Sequence, residues 1–330
     1  MTRLRATALA ATLASTAFAM PASALEEITF QLDWLPGGDK APIYVCIEQG
    51  ICEEAGFDVT VSPGRGSSEA ITKLATGVAE FGSAGMGAVM AARAMENVPV
   101  TAIMSIFNTG PHAFYTTKDT GIASIADVKG HSIATSPFTS SNVFLPLVLA
   151  DNGMTEDDIT LTKADPGALG PLLMTGQSDV IIAWLTDVTR YSNQASEAGK
   201  EIVYLPWADA GLELYSASLV GNDDYMAANP ELTKAFVAAF KASLEFAYEN
   251  PQIAAEAVAA QVPELTAEDV MGSWMDASKL AFNEVTDEFG LGAFDADRVA
   301  ATWDRVAASQ GLDAADLDPE TAVSRDYLPE

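Results

Sequence analysis

Histidine, cysteine and positive charge are all scarce in this chain. The two histidines, His112 and His131, share no metal-ligand spacing with each other or with the two cysteines, so the sequence suggests neither a zinc site nor another cofactor. Lys and Arg number 17 against 46 Asp and Glu, a formal net charge of −29 at pH 7. A surface of that sign repels phosphate backbones and anionic lipid, which argues against nucleic-acid and membrane-surface partners. Past residue 24 no apolar run approaches the length of a membrane span, and no repeat or low-complexity tract appears.

The first 24 residues read differently. Arg3 and Arg5 precede an Ala/Leu/Thr run that ends in Pro21-Ala22-Ser23-Ala24, the three parts of an export signal. Cleavage after Ala24 would leave a periplasmic protein starting at Leu25. It would also remove Arg3 and Arg5 but no acid, moving the net charge from −29 to −31. An acidic coat of this kind keeps an exported protein soluble. Export also permits a disulfide. Cys46 falls on a helix after Pro42 and Cys52 just beyond its expected end at Gly50, so the chain could turn back and join them. A Cys46–Cys52 bond and a pair of thiols, one buried and one half-exposed, both fit this spacing.

Periodicity gives the architecture. Ile28, Phe30 and Leu32 alternate with Thr29 and Gln31 as in a half-buried strand, which ends where Asp33-Trp34 meets Pro36-Gly37-Gly38. Strands and helices then alternate: Phe57–Val61, Ser68–Thr76, a short strand near Phe81, Val100–Phe107, an extended segment at 111–116, and further strand and helix material in HSIATSPFTSSNVFLPLVLADNG, DITLTKAD, DVIIAWLTD and EIVYLPW. Such alternation predicts α/β units with mostly parallel sheets. LYSASLVGN adds a later strand that would return to the first unit. From Asn229 the pattern is helical, and Phe236, Phe240, Leu244 and Tyr248 form a stripe expected in the core.

The opening stretch ITFQLDWLPGGDKAPIYVCIEQG, with its LDW-x-P and following helix, resembles the periplasmic solute-binding proteins of ABC importers. These deliver thiamine pyrimidine precursors, and their relatives bind alkanesulfonates, taurine or nitrate. The resemblance implies a two-lobed type II periplasmic binding fold with a ligand cleft between the lobes. It divides the chain into a signal peptide (1–24), a discontinuous lobe 1 (25–115 and 212–330) and lobe 2 (116–211). Where the pyrimidine binders carry Asn and, three residues later, His, this chain has Gly37 and Lys40.

Ligands of open α/β sheets bind beyond the strands' carboxyl ends, and that edge supplies the candidate site. Three small-residue turns lead strands into helix N-termini: Gly64–Ser68, Gly82–Met86 and Ser136–Ser141. Each is expected to expose free N–H groups and hydroxyls to a ligand, with Gly66, Ser67, Ser83, Ser136, Thr139 and Ser140 as contacts. Trp34 and Trp184 are expected to stack on a flat ligand. Asp39 and Lys40 lie in the rim, with Asp33 and Arg65. Lys40 or Arg65 turned inward would suit a sulfonate, taurine, nitrate or aromatic carboxylate, and Asp33 or Asp39 turned inward an amino-substituted ring. His112, beside a crossing between lobes, reads as structural.

The chain is therefore expected to be a non-enzymatic, monomeric binding protein that hands a small molecule, such as a thiamine pyrimidine precursor, to a membrane permease. A thiamine-pyrimidine synthase-like enzyme is the alternative of another class. Such synthases carry a cysteine-rich motif and act in the cytoplasm, whereas this chain has two cysteines and an expected export signal; Glu69 and Phe81 separately argue against a dinucleotide fingerprint at Gly64-x-Gly66 and a nucleophile elbow.

Overall fold

The computed structural model describes residues 24–329 other than Gly211 and Glu213. The expected export signal, Ala24 apart, and the expected boundary at residue 211 lie outside the described residues. Among the described residues no helix is long and apolar enough to cross a membrane.

Ten strands form two five-stranded sheets. In chain order they are β1 (Glu26–Gln31), β2 (Phe57–Ser62), β3 (Phe81–Gly85), β4 (Val100–Ser105), β5 (His112–Thr117), β6 (Ser132–Thr135), β7 (Thr160–Lys163), β8 (Val180–Trp184), β9 (Ile202–Pro206) and β10 (Ala217–Asn222). The first sheet runs β2-β1-β3-β10-β4 and the second β7-β6-β8-β5-β9. Both repeat one plan, with a single antiparallel strand in the fourth place: β10 against β3 and β4, and β5 against β8 and β9. These two strands are the first that the chain forms after each change of sheet. The first change falls between Ser105 and His112, earlier than the expected residue 115. Thr109-Gly110-Pro111 breaks the chain there, and β5 pairs entirely within the second sheet.

This plan builds the cleft. Parallel strands β1, β3, β6 and β8 end on the side where β5 and β10 begin, as the pairings His112 with Trp184 and Ala217 with Gly85 record. Residues just past Gln31, Gly85, Thr135 and Trp184 therefore converge. The helix Ala296–Gln310 packs against Met86–Glu96 of the first unit and Ser141–Asp151 of the second. Gln310 Nε2 donates to the Val143 carbonyl at 2.7 Å and Ser309 Oγ accepts from Leu147 N at 3.2 Å, which ties the units together away from the strands.

The aromatic stripe of the helix Pro230–Glu249 covers the first sheet. Phe236 stacks on Phe81 at 4.4 Å and meets Phe57 edge-on at 5.3 Å, and Phe240 stacks on Phe30 at 5.7 Å. Each such ring contributes about 1.5–3 kcal/mol by burial alone. Tyr248 departs from the expectation. It is 49% exposed and stacks on Phe282 at 3.8 Å, because at the helix's last turn the stripe has run past the core.

Cys46 and Cys52 are joined by a disulfide and both are buried. Gly50, at φ 73°, supplies the left-handed turn between Ala41–Glu48 and Ile51–Glu54 that brings them together. The loop is short, so its loss is expected to cost only about 2 kcal/mol. The Cys46→Ala/Cys52→Ala protein should fold and unfold a few degrees lower in calorimetry. Thiol titration of the unfolded, unreduced wild type should find no free cysteine.

Candidate functional site

Beyond β1 the chain turns through a 3-10 helix at Gly38–Lys40. Gly38 lies flat on the helix Ala267–Ser278, where a Cβ would stand 2.3 Å from the Val270 carbonyl oxygen, so no larger residue fits without moving it. That close approach aims Asp39 and Lys40 back under the strand ends. Lys40 is 5% exposed, and its Nζ lies 2.6 Å from Asp33 Oδ1 and 2.8 Å from Asp39 Oδ2. Ser83 Oγ, at the middle of β3, also donates to Asp33 Oδ1 at 2.7 Å. Burial opposes the charge on Lys40, but the two carboxylates outweigh it and hold the ammonium's pKa above its ordinary value. Asp39 is shifted up by burial, partly offset by Lys40.

Lys40 is thus consumed by its two carboxylates and does not line the cleft, contrary to its expected role as an anion partner. Arg65 does not point inward either. It pairs with Glu69 at 3.0 Å and lies over the Phe138 ring at 4.7 Å, half exposed on the outside.

The cleft is lined by Asp33, Trp34, Asp39, Ser67, Thr139, Ala183, Trp184, Thr186 and Asp187. Five expected residues therefore meet there: Trp34, Asp39, Ser67, Thr139 and Trp184. The indole N–H groups of Trp34 and Trp184 and the Oδ2 of Asp33 are buried without a partner. Tyr115 Oη donates to the Trp184 carbonyl at 2.7 Å, pinning the strand end that presents the second indole.

The other expected residues have different duties. Gly66, at φ 156°, lies against the Phe138 carbonyl, where a Cβ would come within 2.2 Å of the oxygen. Ser136 Oγ donates to the Arg65 carbonyl at 2.7 Å, and Ser68 N donates to the Phe138 carbonyl at 3.0 Å. Ser83 supports Asp33, and Ser140 is buried against Gly85. Several donors of these turns are already taken, since Gly85 N donates to Ser67 Oγ, Met86 N to the Ser216 carbonyl and Ser141 N to Thr139 Oγ1. The turns at Gly64–Ser68 and Ser136–Ser141, expected to meet a ligand, also fasten the units to each other.

A second set of fastenings joins the units through the helices Val188–Glu197 and Ala267–Ser278. Thr189 Oγ1 donates to Asp276 Oδ2 at 2.9 Å, Asn193 Nδ2 to Asp269 Oδ1 at 3.0 Å, and Ser273 Oγ to the Thr186 carbonyl at 2.8 Å. His112 is buried with Nδ1 2.9 Å from Ser141 Oγ, and burial pushes its pKa down to about 3, so it is a neutral packing residue. Phe107, Tyr115 and Trp207 are buried in the core.

Sequence reasoning missed Thr186 and Asp187 as lining residues. Their signal was the likeness between the two strand ends: Asp33-Trp34 after β1, and Trp184-Leu185-Thr186-Asp187 at the end of β8. Burial, reinforced by the charge of Asp39, pushes Asp187 up to about 6 against the opposing pull of Arg190 and Lys40. Arg190 reaches Asp187 at 3.5 Å.

Comparison with known proteins accords with this geometry. Residues 38–254 match the model of the family described as NMT1/THI5 like, and the chain belongs to that family. It is 25% identical to the riboflavin-binding protein RibY of Chloroflexus aurantiacus, over 92% of this chain and 87% of that one. It is 24% identical to the formylaminopyrimidine-binding protein of Halalkalibacterium halodurans, over 69% and 68% of the two chains. Among solved structures, the alkanesulfonate-binding protein SsuA of Xanthomonas axonopodis pv. citri superposes with a TM-score of 0.71 at 17% identity, covering 92% of this chain and all of that one. The periplasmic binding protein fold is thereby shown.

Asp187 makes stability depend on pH with a definite sign. Its folded pKa of about 6 lies above the ordinary 3.8, so the fold favours the neutral acid. The contribution is complete below pH ~4 and is lost as pH rises to ~6, by at most about 3 kcal/mol. Measured by denaturant titration across this range, the stability of wild type relative to Asp187→Asn should fall as pH rises and then level. A parallel pair of curves would place the Asp187 carboxyl in water.

Proposed function

We propose that this chain is an exported, monomeric solute-binding protein that captures a small amino-substituted heteroaromatic ring, such as a thiamine pyrimidine precursor, and delivers it to the permease of an ABC importer. The observation that carries this reading is the buried, unpartnered Oδ2 of Asp33, in a narrow cleft with the unpartnered indole N–H groups of Trp34 and Trp184. A ring with an exocyclic amine and a ring nitrogen offers the complement, a donor to the carboxylate, an acceptor for an indole N–H and a face for stacking. Because Asp33 already binds Lys40 and Ser83 through Oδ1, its second oxygen is held ready rather than searching rotamers.

A sulfonate or nitrate finds less here, because Lys40 and Arg65 are engaged elsewhere and several nearby donors, among them Ser68 N, Gly85 N and Met86 N, already have acceptors. Two lobes close to the expected 25–115 with 212–330 and 116–211, the first crossing set back to 106–111, would open at their crossings to admit the ligand, with Ser68, Ser136, Thr189 and Asn193 breaking and remaking the fastenings. A synthase-like reading has less support. Both cysteines are bonded, His112 is neutral and buried, and among the described residues no group of His, Cys, Asp and Glu could hold a metal.

Thermal unfolding of the ligand-stripped protein against a panel of aminopyrimidines, sulfonates, nitrate and aromatic acids tests the reading. An aminopyrimidine at about a hundred times its Kd should stabilise the protein by roughly 2.7 kcal/mol, while the anions leave the transition in place. Trp34→Ala should abolish that shift, and Asp33→Asn should weaken binding by about ten- to a hundredfold, the worth of a hydrogen bond to a charged acceptor. Stabilisation by sulfonates alone would refute it.

A further inference from the structure

Resting on the reading of the cleft as a ring-binding site, we infer that the preferred ligand carries a positive charge, as a protonated amine or a cationic ring. The cleft is lined by three carboxylates, Asp33, Asp39 and Asp187. Their ion-pair partners are two, Lys40 and Arg190, so one negative charge is uncompensated. The two cations do not face the ligand space. Lys40 sits behind Asp33 and Asp39, and Arg190 lines the adjoining cavity between the helices Val188–Glu197 and Ala267–Ser278.

The Oδ2 of Asp33 carries the argument beyond a count of charges. Asp33 is 2% exposed and lines the cleft, yet that oxygen has no partner. A buried carboxylate oxygen left without a donor is costly, and a cation supplies both the hydrogen bond and the missing charge. Trp34 and Trp184 add ring faces that attract a cation, as the position of Lys40 Nζ 5.6 Å from the Trp184 centroid already illustrates. Two carboxylates on the first unit and one on the second also mean that a cation between them is held only when the units are together. A neutral ring of the same shape would keep the stacking but not this bridging attraction.

Matched pairs test the charge separately from the ring. By isothermal calorimetry near neutral pH and at low salt, an aminopyrimidine with an aminomethyl arm should bind about tenfold or more tightly than its hydroxymethyl counterpart. Raising the salt should leave most of that ratio in place, because the pair is enclosed. Asp187→Asn should shrink the ratio to within about threefold while circular dichroism stays unchanged. Equal affinities, or tighter binding of the hydroxymethyl compound, would overturn the inference and leave the pyrimidine reading standing. Benzylamine against benzyl alcohol is the second pair. If only benzylamine binds, the charge inference holds and the pyrimidine reading falls, and if no member of either pair binds, both fall.

Discussion

Everything at the cleft hangs on one buried cation held between two carboxylates. Lys40 reaches Asp33 at 2.6 Å and Asp39 at 2.8 Å with almost no contact with water. Each of these ions alone would lose several kcal/mol by leaving solvent, and only their mutual attraction with good geometry makes the arrangement tolerable. The geometry comes from backbone that cannot be elsewhere: Gly38 against Val270, and the end of β1 fixed by its pairing with β2 and β3. The rigid turn positions the ion triad, and the triad fixes the one oxygen of Asp33 that remains to be satisfied. Lys40, which looks like a ligand contact in the sequence, supports the contact proposed at Asp33 instead.

The same logic explains why the two units share a plan. In each sheet the strand that arrives from the other unit runs antiparallel to its neighbours, so it begins where the parallel strands end. Both crossings therefore pass close to the cleft, and any change there is felt at His112 and Ala217, the first residues of the two inserted strands. Away from the crossings, the turns at Gly66 and Phe138 and the helix pair joined by Thr189–Asp276 and Asn193–Asp269 hold the units by single hydrogen bonds. Such bonds contribute about 1 kcal/mol each and can be exchanged for water. The helix Ala296–Gln310, packed on both units, has far more to lose, so an opening motion would keep it and give up the others.

Much of this was legible before any coordinates. Alternation at Ile28, Phe30 and Leu32, the recurring phenylalanines of Pro230–Glu249 and the Gly50 turn between two cysteines are local patterns, and local patterns determine which face of an element is buried. The direction taken by Lys40 and Arg65 was not legible, because each had acids within reach in sequence and in space, and the choice rests on where a distant helix presses on Gly38. The turns at Ser67, Ser83 and Ser136 were correctly seen as donor-rich. What no spacing reveals is that their donors meet acceptors on neighbouring elements, Phe138, Ser216 and Arg65 among them. Asp187 was passed over because its likeness to Asp33 lies in position relative to a strand end, not in a motif of fixed length.

The strongly negative surface and the local excess of carboxylate in the cleft are separate facts with separate consequences. The net charge of −29 comes mostly from exposed acids that salt screens within about 10 Å, so it governs solubility and the approach of ions but selects nothing. The carboxylates of Asp33, Asp39 and Asp187 are enclosed by Trp34 and Trp184, where the field is less screened and each charge must be answered at close range. Lys40 answers Asp39 and half of Asp33, and Arg190 answers Asp187 from behind. What is left is a single directed demand at Asp33 Oδ2, and a demand of that kind discriminates among ligands in a way that total charge cannot.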